Sequence, residues 1–353
     1  MSNIPTKTRS WILTNKPTGL ATISGDKPTF TLETRDLPAL QNDQVLVKAL
    51  YYSNDPAQRG WISPTIPEGR LYVPPVEVGT AMRTRGLAEV IDSKSDKVPK
   101  GTIVSGTTDW NEYVVLDASA VTPVQPLPGG LSLTHYLGAL GGTGLTAYYG
   151  LVKVCEAKKG EKIVVSGAAG ATGSMVVQIA KNIVGASNVI GIAGSDSKCR
   201  WVESLGADKC LNYKSPSFAK DLKEATKDGV DVYFDNVGGE ILDLMLGNMS
   251  MHGRIAACGS ISGYNSDDEP TILKNYFQVI TMRLQLRGFI IIDYLPKAGE
   301  ALKLFREAIQ EGKLKVGDEN ETVVPTKFED VPKTWLTLFS GGNTGKLVTK
   351  LEG

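Results

Sequence analysis

The first third of the chain carries its apolar residues in short runs, WILTN, FTLETRDL, DQVLVKALYY and TIVSGTTDWNEYVVLD, separated by Gly, Pro, Asn and Asp and with little helical periodicity. Such punctuation predicts a small, irregular, mostly β domain up to about residue 125. Pro123, Pro126, Pro128, Gly129 and Gly130 then cluster in VTPVQPLPGG, the composition of a break between domains. Beyond it the texture changes to alternating strand and helix. KIVVSGA, SNVIGIAG, KCLNYK, VDVYFDNVG and HGRIAACGSI read as strands, and GATGSMVVQIAKNIVG, DSKCRWVESLGA and SFAKDLKEATKDG as helices. Continuous Val/Ile strands between helices predict a doubly wound α/β architecture, a parallel sheet covered on both faces. LQLRGFIII reads as one more β run and PKAGEALKLFREAIQEGKL as a helix, after which ETVVPTKFEDVPKTWLTLFSGGNTGKLVTKLEG returns to β character. The tail is expected to rejoin the N-terminal domain, which gives three segments: 1–130, 131–310 and 311–353.

Composition narrows the chemistry. The chain has 353 residues, 38 basic and 38 acidic side chains, and a hydrophobic content of 41%, enough for a full-sized core in two domains. Zero formal charge gives no global attraction to nucleic acid or anionic membrane. Cys155, Cys199, Cys210 and Cys258 form no CxxC pair, so neither a disulfide framework nor a structural zinc site is indicated, and a reducing compartment fits best. The only two histidines, His135 and His252, are too few for a multi-histidine metal cluster. No apolar run is long enough to span a bilayer and MSNIPTKTRSWILTNKP has no apolar signal core, so the expected location is the cytoplasm.

One segment carries specific chemistry. KIVVSGAAGATGSMVVQIAK places a Gly/Ala-rich turn between an apolar strand and an amphipathic helix. Against the G-x-G-x-x-G pattern of Rossmann sheets, Ala168 stands at the first position, Gly170 at the second, where backbone approaches a pyrophosphate, and Gly173 at the third, where helix packs on strand. The helix start then offers N–H groups and a positive dipole end to the anion. The next strand ends in Ala193, Gly194 and Ser195, without the acidic side chain that bonds a ribose 2′-OH, while Lys198, Arg200 and Tyr213 follow closely. These residues favour NADP(H) over NAD. Asp196 reads as the N-cap of the helix it opens.

The chain resembles the zinc-independent medium-chain dehydrogenases/reductases, within them the prostaglandin reductase, alkenal double-bond reductase and curcumin reductase group. The resemblance rests on GGTGLTAYYGL at 141–151, VVSGAAGATGSMVVQIAK at 164–181, GIAGSDSK at 191–198, YFDNVGGE at 233–240, GRIAACGSISGYN at 253–265, RGFII at 287–291 and NTGKLV at 343–348. It implies a discontinuous GroES-like catalytic domain and a Rossmann cofactor domain. It further implies NADPH held by Gly170, Ala171, Thr172 and Gly173, by Lys198 and Tyr213 at the 2′-phosphate, by Asn236, by Cys258, Gly259, Ser260, Ile261, Ser262, Gly263 and Tyr264, by Phe289, Ile290 and Ile291, and by Asn343. Zinc-containing relatives use Cys and His ligands that region 45–80 lacks. Where the group commonly has DPYMR, this chain has Asp55, Pro56, Ala57, Gln58 and Arg59, so substrate preference does not carry over. Asp55 and Arg59 are open to two readings, a part in catalysis or an ion pair holding their loop, the second being favoured, and WISPTIPEGRLYVPP reads as a lining of the pocket mouth.

The implied reaction is hydride addition to the activated C=C bond of an α,β-unsaturated carbonyl, an enal or enone, without a metal. Hydrogen-bond donors to the developing enolate oxygen suffice for it. Tyr264 is the expected catalytic donor, acting directly or through the cofactor ribose, and Tyr51 matches a substrate-pocket tyrosine of the plant enzymes. Two other readings share the cofactor site: an NADPH quinone oxidoreductase, and a non-catalytic NADPH-binding regulator. The resemblance also implies a homodimer whose cofactor domains pair edge to edge through LQLRGFIII, an apolar strand unsuited to an exposed edge.

Overall fold

The structure is a computed structural model that describes residues 4–266 and 272–352; Met1–Asn3 and Gly353, at the ends of the terminal segments read above, lie outside the described residues. In chain order the strands are β1 (Lys7–Leu13), β2 (Phe30–Asp36), β3 (Gln44–Ser53), β4 (Arg85–Ser93), β5 (Ile103–Thr107), β6 (Tyr113–Asp117), β7 (Val121–Pro123), β8 (Lys162–Ser166), β9 (Asn188–Ala193), β10 (Lys209–Asn212), β11 (Val230–Asp235), β12 (Met249–Ala257), β13 (Gln285–Gly288), β14 (Glu321–Thr326) and β15 (Lys346–Leu351). The α-helices are α1 (Gln58–Trp61), α2 (Gly142–Tyr148), α3 (Ala171–Ile179), α4 (Asp196–Ser204), α5 (Phe218–Ala225), α6 (Gly239–Leu246), α7 (Phe277–Thr281), α8 (Ala298–Gln310) and α9 (Val331–Leu336).

The chain divides into two compact units, one of residues 1–137, 322–343 and 347–353, the other of 138–321 and 344–346. The boundaries thus fall at 137/138 and 321/322 rather than at the expected 130 and 310, and GKLKVGDENE stays with the second unit.

In the first unit β14-β15-β3-β4-β5-β7 make one sheet, with β6 also pairing with β3, while β1 and β2 pair antiparallel beside it. Its core is aromatic. Phe30, Trp110 and Trp335 meet edge to face, with ring centroids 5.0 Å (Phe30–Trp110) and 5.8 Å (Trp110–Trp335) apart. Trp335 lies on α9, so the tail is not wholly β as expected. FEDVPKTWLTLF turns into helix because Pro332 sits in the first helical turn, where its missing N–H costs nothing. Burial of Trp335 and Phe328 is what binds this tail segment into the first unit's core.

In the second unit all six strands of the sheet run parallel, in the order β10-β9-β8-β11-β12-β13. Numbered within the unit this is 3-2-1-4-5-6, the Rossmann order, and its direction of winding reverses between β8 and β11. β8, β9 and β11 are buried almost throughout because helices cover both faces, which explains their unbroken Val/Ile character. LQLRGFIII is strand only to Gly288: Phe289 and Ile290 leave the sheet, and Ile291–Lys297 forms 3-10 turns. Three helices of this unit went unread in the sequence: α2, which runs on into a π-helical turn at Tyr149–Val154, α6 and α7.

Candidate functional site

The carboxyl ends of β8 and β11 flank the point where the sheet reverses direction, the place where such folds hold their ligands. β8 stops at Ser166, and Gly167 makes the sharp turn with φ of 59°. The left-handed turn glycine is therefore Gly167, one residue before Ala168, which is fully buried. Gly170 is the N-cap of α3 and donates its N–H to the Gly167 carbonyl at 2.9 Å. A Cβ at Gly173 would collide with that same carbonyl, so only glycine lets the helix start so close to the strand. Ala171, Thr172 and Gly173 form the first turn, where N–H groups have no carbonyl of their own helix to meet, and no side chain caps them. This is a cradle for an anion built from backbone.

A second anion-compatible cluster lies at the end of β9. Ser195, and not Asp196, is the N-cap of α4, its Oγ accepting from Lys198 N at 3.3 Å. Asp196 is the first helical residue and accepts from Asn212 Nδ2 at 2.8 Å. The serine is the cap because its backbone is still extended, with φ of −163° and ψ of 159°, while Asp196 already lies in the helix. Tyr213 follows the last residue of β10 and lays its ring over Gly194, where an added Cβ would come within 3.0 Å of Cε1. The Lys214 ammonium sits 5.9 Å from the centre of that ring. Burial, and after it the Lys214 charge, hold the Lys198 ammonium below its ordinary value. Two cations that disfavour each other beside an uncharged Gly-Ser strand end fit a dianionic phosphate, which would relieve both effects at once.

The end of β11 is organised by a carboxylate that the sequence reading missed. Asp235 is buried, and its Oδ1 accepts from Tyr233 Oη at 2.8 Å, Ser166 Oγ at 3.1 Å, Val237 N at 3.0 Å and Gly238 N at 2.9 Å. Asn236 closes the gap to β8, donating Nδ2 to the Ser166 carbonyl at 2.7 Å and its own N–H to Ser166 Oγ at 3.0 Å. The following loop is knitted onto this one. Cys258 N and Gly259 N both donate to the Asp235 carbonyl, and Ser262 N and Oγ to the Val237 carbonyl. Gly238 and Gly239 have φ of 67° and 59°, and side chains there would strike Ser260 Oγ at 2.5 Å and Ser262 Oγ at 2.7 Å. The Cys258 thiol is pushed up to about 12 by burial and by the Asp235 charge, so it stays neutral. Ile261–Gly263 is one 3-10 turn, and half-buried Tyr264 folds back so that its Oη accepts from Ser260 N at 3.2 Å.

Thus Gly170–Gly173, Asn236 and Cys258–Tyr264 follow the carboxyl ends of β8, β11 and β12, neighbours in the second unit's sheet, with Lys198 and Tyr213 clustered beyond the end of β9. Phe289 packs edge to face on Phe234, centroids 6.2 Å apart, ahead of Ile290 and Ile291. A Cβ at Gly150 would overlap Phe289, and would lie 2.6 Å from Phe234. Tyr51 and Asn343 belong to the first unit. Tyr51, half-buried on β3, lies opposite Leu87 and Lys350 in the sheet register. In the same unit the buried Arg59 donates to the carbonyls of Pro17 and Gly19 at 2.9 and 3.1 Å, and Asp55 accepts from Ser53 Oγ at 2.5 Å. Within WISPTIPEGRLYVPP, Trp61 Nε1 donates to Tyr72 Oη at 3.2 Å, and Arg83 lies 5.7 Å over the Trp61 ring. His135 is buried and His252 exposed, on a backbone with φ of 63°. Among the described residues no three His, Cys, Asp or Glu side chains group as a metal ion would need, and no helix is long and apolar enough to cross a membrane. Asp235 was legible only as an acid between an apolar strand and Asn-Val-Gly-Gly, and Lys214 only as a charge beside Tyr213.

Comparison with known proteins agrees with this architecture. Residues 9–124 match the family model described as the N-terminal domain of oxidoreductase, and residues 171–307 the one described as zinc-binding dehydrogenase. The chain is 36% identical to prostaglandin reductase 1 of Bos taurus, over 97% of this chain and 98% of that protein. It is 39% identical to the 2-alkenal reductase (NADP(+)-dependent) of Nicotiana tabacum, over 90% and 89%. Among solved structures it superposes on CurA from Vibrio vulnificus in complex with NADPH with a TM-score of 0.87 at 30% identity, covering 98% of this chain and 99% of that one. The chain therefore belongs to the medium-chain dehydrogenase/reductase family, in its zinc-independent group that includes the prostaglandin and 2-alkenal reductases.

Proposed function

We propose that the protein is an NADPH-dependent reductase of the activated C=C bond of α,β-unsaturated carbonyls, working without a metal. The observation that carries the cofactor choice is the juxtaposition of Lys198, Lys214 and Tyr213 around Gly194 and Ser195, a phosphate site where an NAD enzyme has a carboxylate. The names of the relatives, prostaglandin reductase and 2-alkenal reductase, support the substrate class.

When bound, NADPH supplies the hydride. The amides of Ala171, Thr172 and Gly173 hold the pyrophosphate; Lys198, Tyr213 and Lys214 hold the 2′-phosphate. Asn236, and the 258–264 loop that Asp235 and Val237 fasten, orient the reacting end. Phe289, Ile290 and Ile291 exclude water beside it, and Asn343 is a further proposed cofactor contact. Tyr264 Oη donates its proton in a hydrogen bond to the substrate carbonyl oxygen, where charge develops as the β-carbon is reduced. Tyr51 lines the substrate pocket.

Assays of NADPH oxidation with a medium-chain enal, a saturated aldehyde and a benzoquinone test the reading. Turnover of the enal with appearance of the saturated aldehyde is expected; turnover of quinone alone would replace it with the quinone reductase reading. NADPH oxidised by none of them would favour a non-catalytic binder.

The active form is proposed to be a cytoplasmic homodimer joined along β13. That edge strand exposes Leu286, and Phe277 and Ile280 of α7 are 66% and 63% exposed, an apolar margin unusual for a monomer. Light scattering of the Ile280→Glu, Leu286→Glu variant should give a monomer mass, and an unchanged dimer would reject this edge.

A further inference from the structure

The π-helical turn that extends α2, Tyr149–Val154, is closed by an i→i+5 bond in which Cys155 N donates to the Gly150 carbonyl at 3.0 Å. Such turns are rare and are found frequently at functional sites. Two arginines from adjacent strands meet its end. Arg254 of β12 donates Nη1 to the carbonyls of Cys155 and Glu156 at 2.9 and 3.1 Å, and Arg287 of β13 donates Nη1 to that of Val154. A helix end leaves such carbonyls unmatched, so the two guanidinium groups fix the turn to the sheet.

The fixed turn holds the stretch that leaves β13. From Phe289 to Lys297 no residue is buried, and the stretch bonds locally along its own backbone, Asp293 N donating to the Ile290 carbonyl at 3.2 Å. At one end Phe289 fills the space that Gly150 leaves open beside Phe234. At the other the buried Tyr149 stacks on Tyr294, with centroids 4.7 Å apart and planes 26° from parallel, and its Oη donates to the Lys297 carbonyl at 2.8 Å. Two consecutive residues of the turn thus clasp both ends of the 289–297 stretch.

We propose that Tyr149 and Gly150 are positioning residues for the reduction: by clasping the stretch at Phe289 and Lys297 they hold Phe289, Ile290 and Ile291 at the reacting end of the cofactor. This rests on the functional reading above, which puts those three residues there. A hydride moves only between carbons held close and aligned, so a stretch free to drift lowers the rate more than the affinity. The phosphates, assigned to the starts of α3 and α4, keep the cofactor bound.

Gly150→Ala would displace Phe234 of the sheet as well as Phe289, so the discriminating variants are at Tyr149. Tyr149→Phe keeps the stack and loses the bond to Lys297; Tyr149→Leu loses both. Hydrogen–deuterium exchange of the full-length protein without cofactor reads the clasp. Amides of 289–297 should exchange about fivefold faster in Tyr149→Phe and more than about tenfold faster in Tyr149→Leu, with those of 164–181 unchanged. Unchanged exchange of 289–297 in both variants overturns the clasp. Titration should leave the NADPH Kd of both within about threefold of wild type, while hydride transfer to a medium-chain enal at saturating NADPH slows about tenfold in Tyr149→Leu and less in Tyr149→Phe. Affinity lost in proportion to rate, or a rate unchanged while the stretch loosens, overturns the positioning role. Fluorescence of the bound dihydronicotinamide supplies a reading without turnover: its emission should shift in Tyr149→Leu, and an unshifted emission overturns the role as well. If the wild type binds NADPH and reduces no enal, the functional reading fails, while exchange and emission still decide the clasp.

Discussion

Tyr233 and Asp235, two residues apart and on the same face of β11, share a hydrogen bond of 2.8 Å in the interior of the sheet. Burial and the neighbouring carboxylate hold the Tyr233 phenol well above its ordinary value, so it remains a donor across the working pH range. Its partner oxygen is the fastening point for the loop that begins with Asn236.

Removing the phenol hydroxyl in Tyr233→Phe leaves Asp235 three donors and should cost about 1 kcal/mol; Asp235→Asn weakens all of the charge-assisted bonds and should cost about 2–3 kcal/mol. Urea unfolding measures both. Asp235→Asn should also loosen NADPH binding by detaching the 236–238 turn, and equal stability of the two variants would contradict the hub.

Lys198→Ala should raise the Kd for NADPH by roughly tenfold to a hundredfold while moving that for NADH less than about threefold, since only one of them carries the 2′-phosphate. Lys214→Ala should follow with a smaller loss. Fluorescence titration with both nucleotides distinguishes this from general damage, in which the two affinities fall together.

Gly173→Ala places a Cβ against the Gly167 carbonyl and must push α3 off β8. The expected result is a Tm lower by several degrees and loss of most NADPH binding, since the shift moves the amides of the first turn. An alanine variant with wild-type affinity would show that helix start and turn are not rigidly coupled.

In the first unit Asp109 has φ of 49° and a buried Oδ1 without a hydrogen bond, and burial pushes its carboxyl up to about 6 against the opposing pull of Thr84 and Arg83. Folded Asp109 therefore binds a proton that the unfolded chain has already released, and stability falls as pH rises from about 4 to about 6. Asp109→Asn keeps the shape and the tolerance of positive φ without the charge. It should gain about 2–3 kcal/mol at pH 7.5 and about none at pH 4, measured by denaturant unfolding at the two pH values.

The Rossmann half was legible because its central strands β8, β9 and β11 are buried on both faces and each connection is a helix, so Ile163–Val165 and Val189–Ile192 announce themselves. Gly167 hid behind the motif frame, since several small residues in SGAAGATGS satisfy the spacing and only φ shows which one turns. Ser195 and Asp196 were confused because both cap helices, and the choice depends on a backbone angle. Phe289 and Ile290 look like strand by side chain, yet beyond Gly288 there is no further strand register to hold them. Trp335 was unreadable as core because its partners, Phe30 and Trp110, are distant in sequence. Asp235 reads as an ordinary strand-end acid until its four donors are in place.

The phosphate turn is not finished by its own neighbours. Gly345, with φ of 65°, donates its N–H to the Ala169 carbonyl at 2.8 Å and forms a parallel bridge with Gly170, and both partners belong to the second unit. During synthesis on the ribosome β8 and α3 emerge long before residue 345 does. A nascent chain can thus assemble the sheet while the proposed nucleotide cradle lacks one wall, and on that proposal cofactor capture waits until the stretch around Gly345 leaves the exit tunnel.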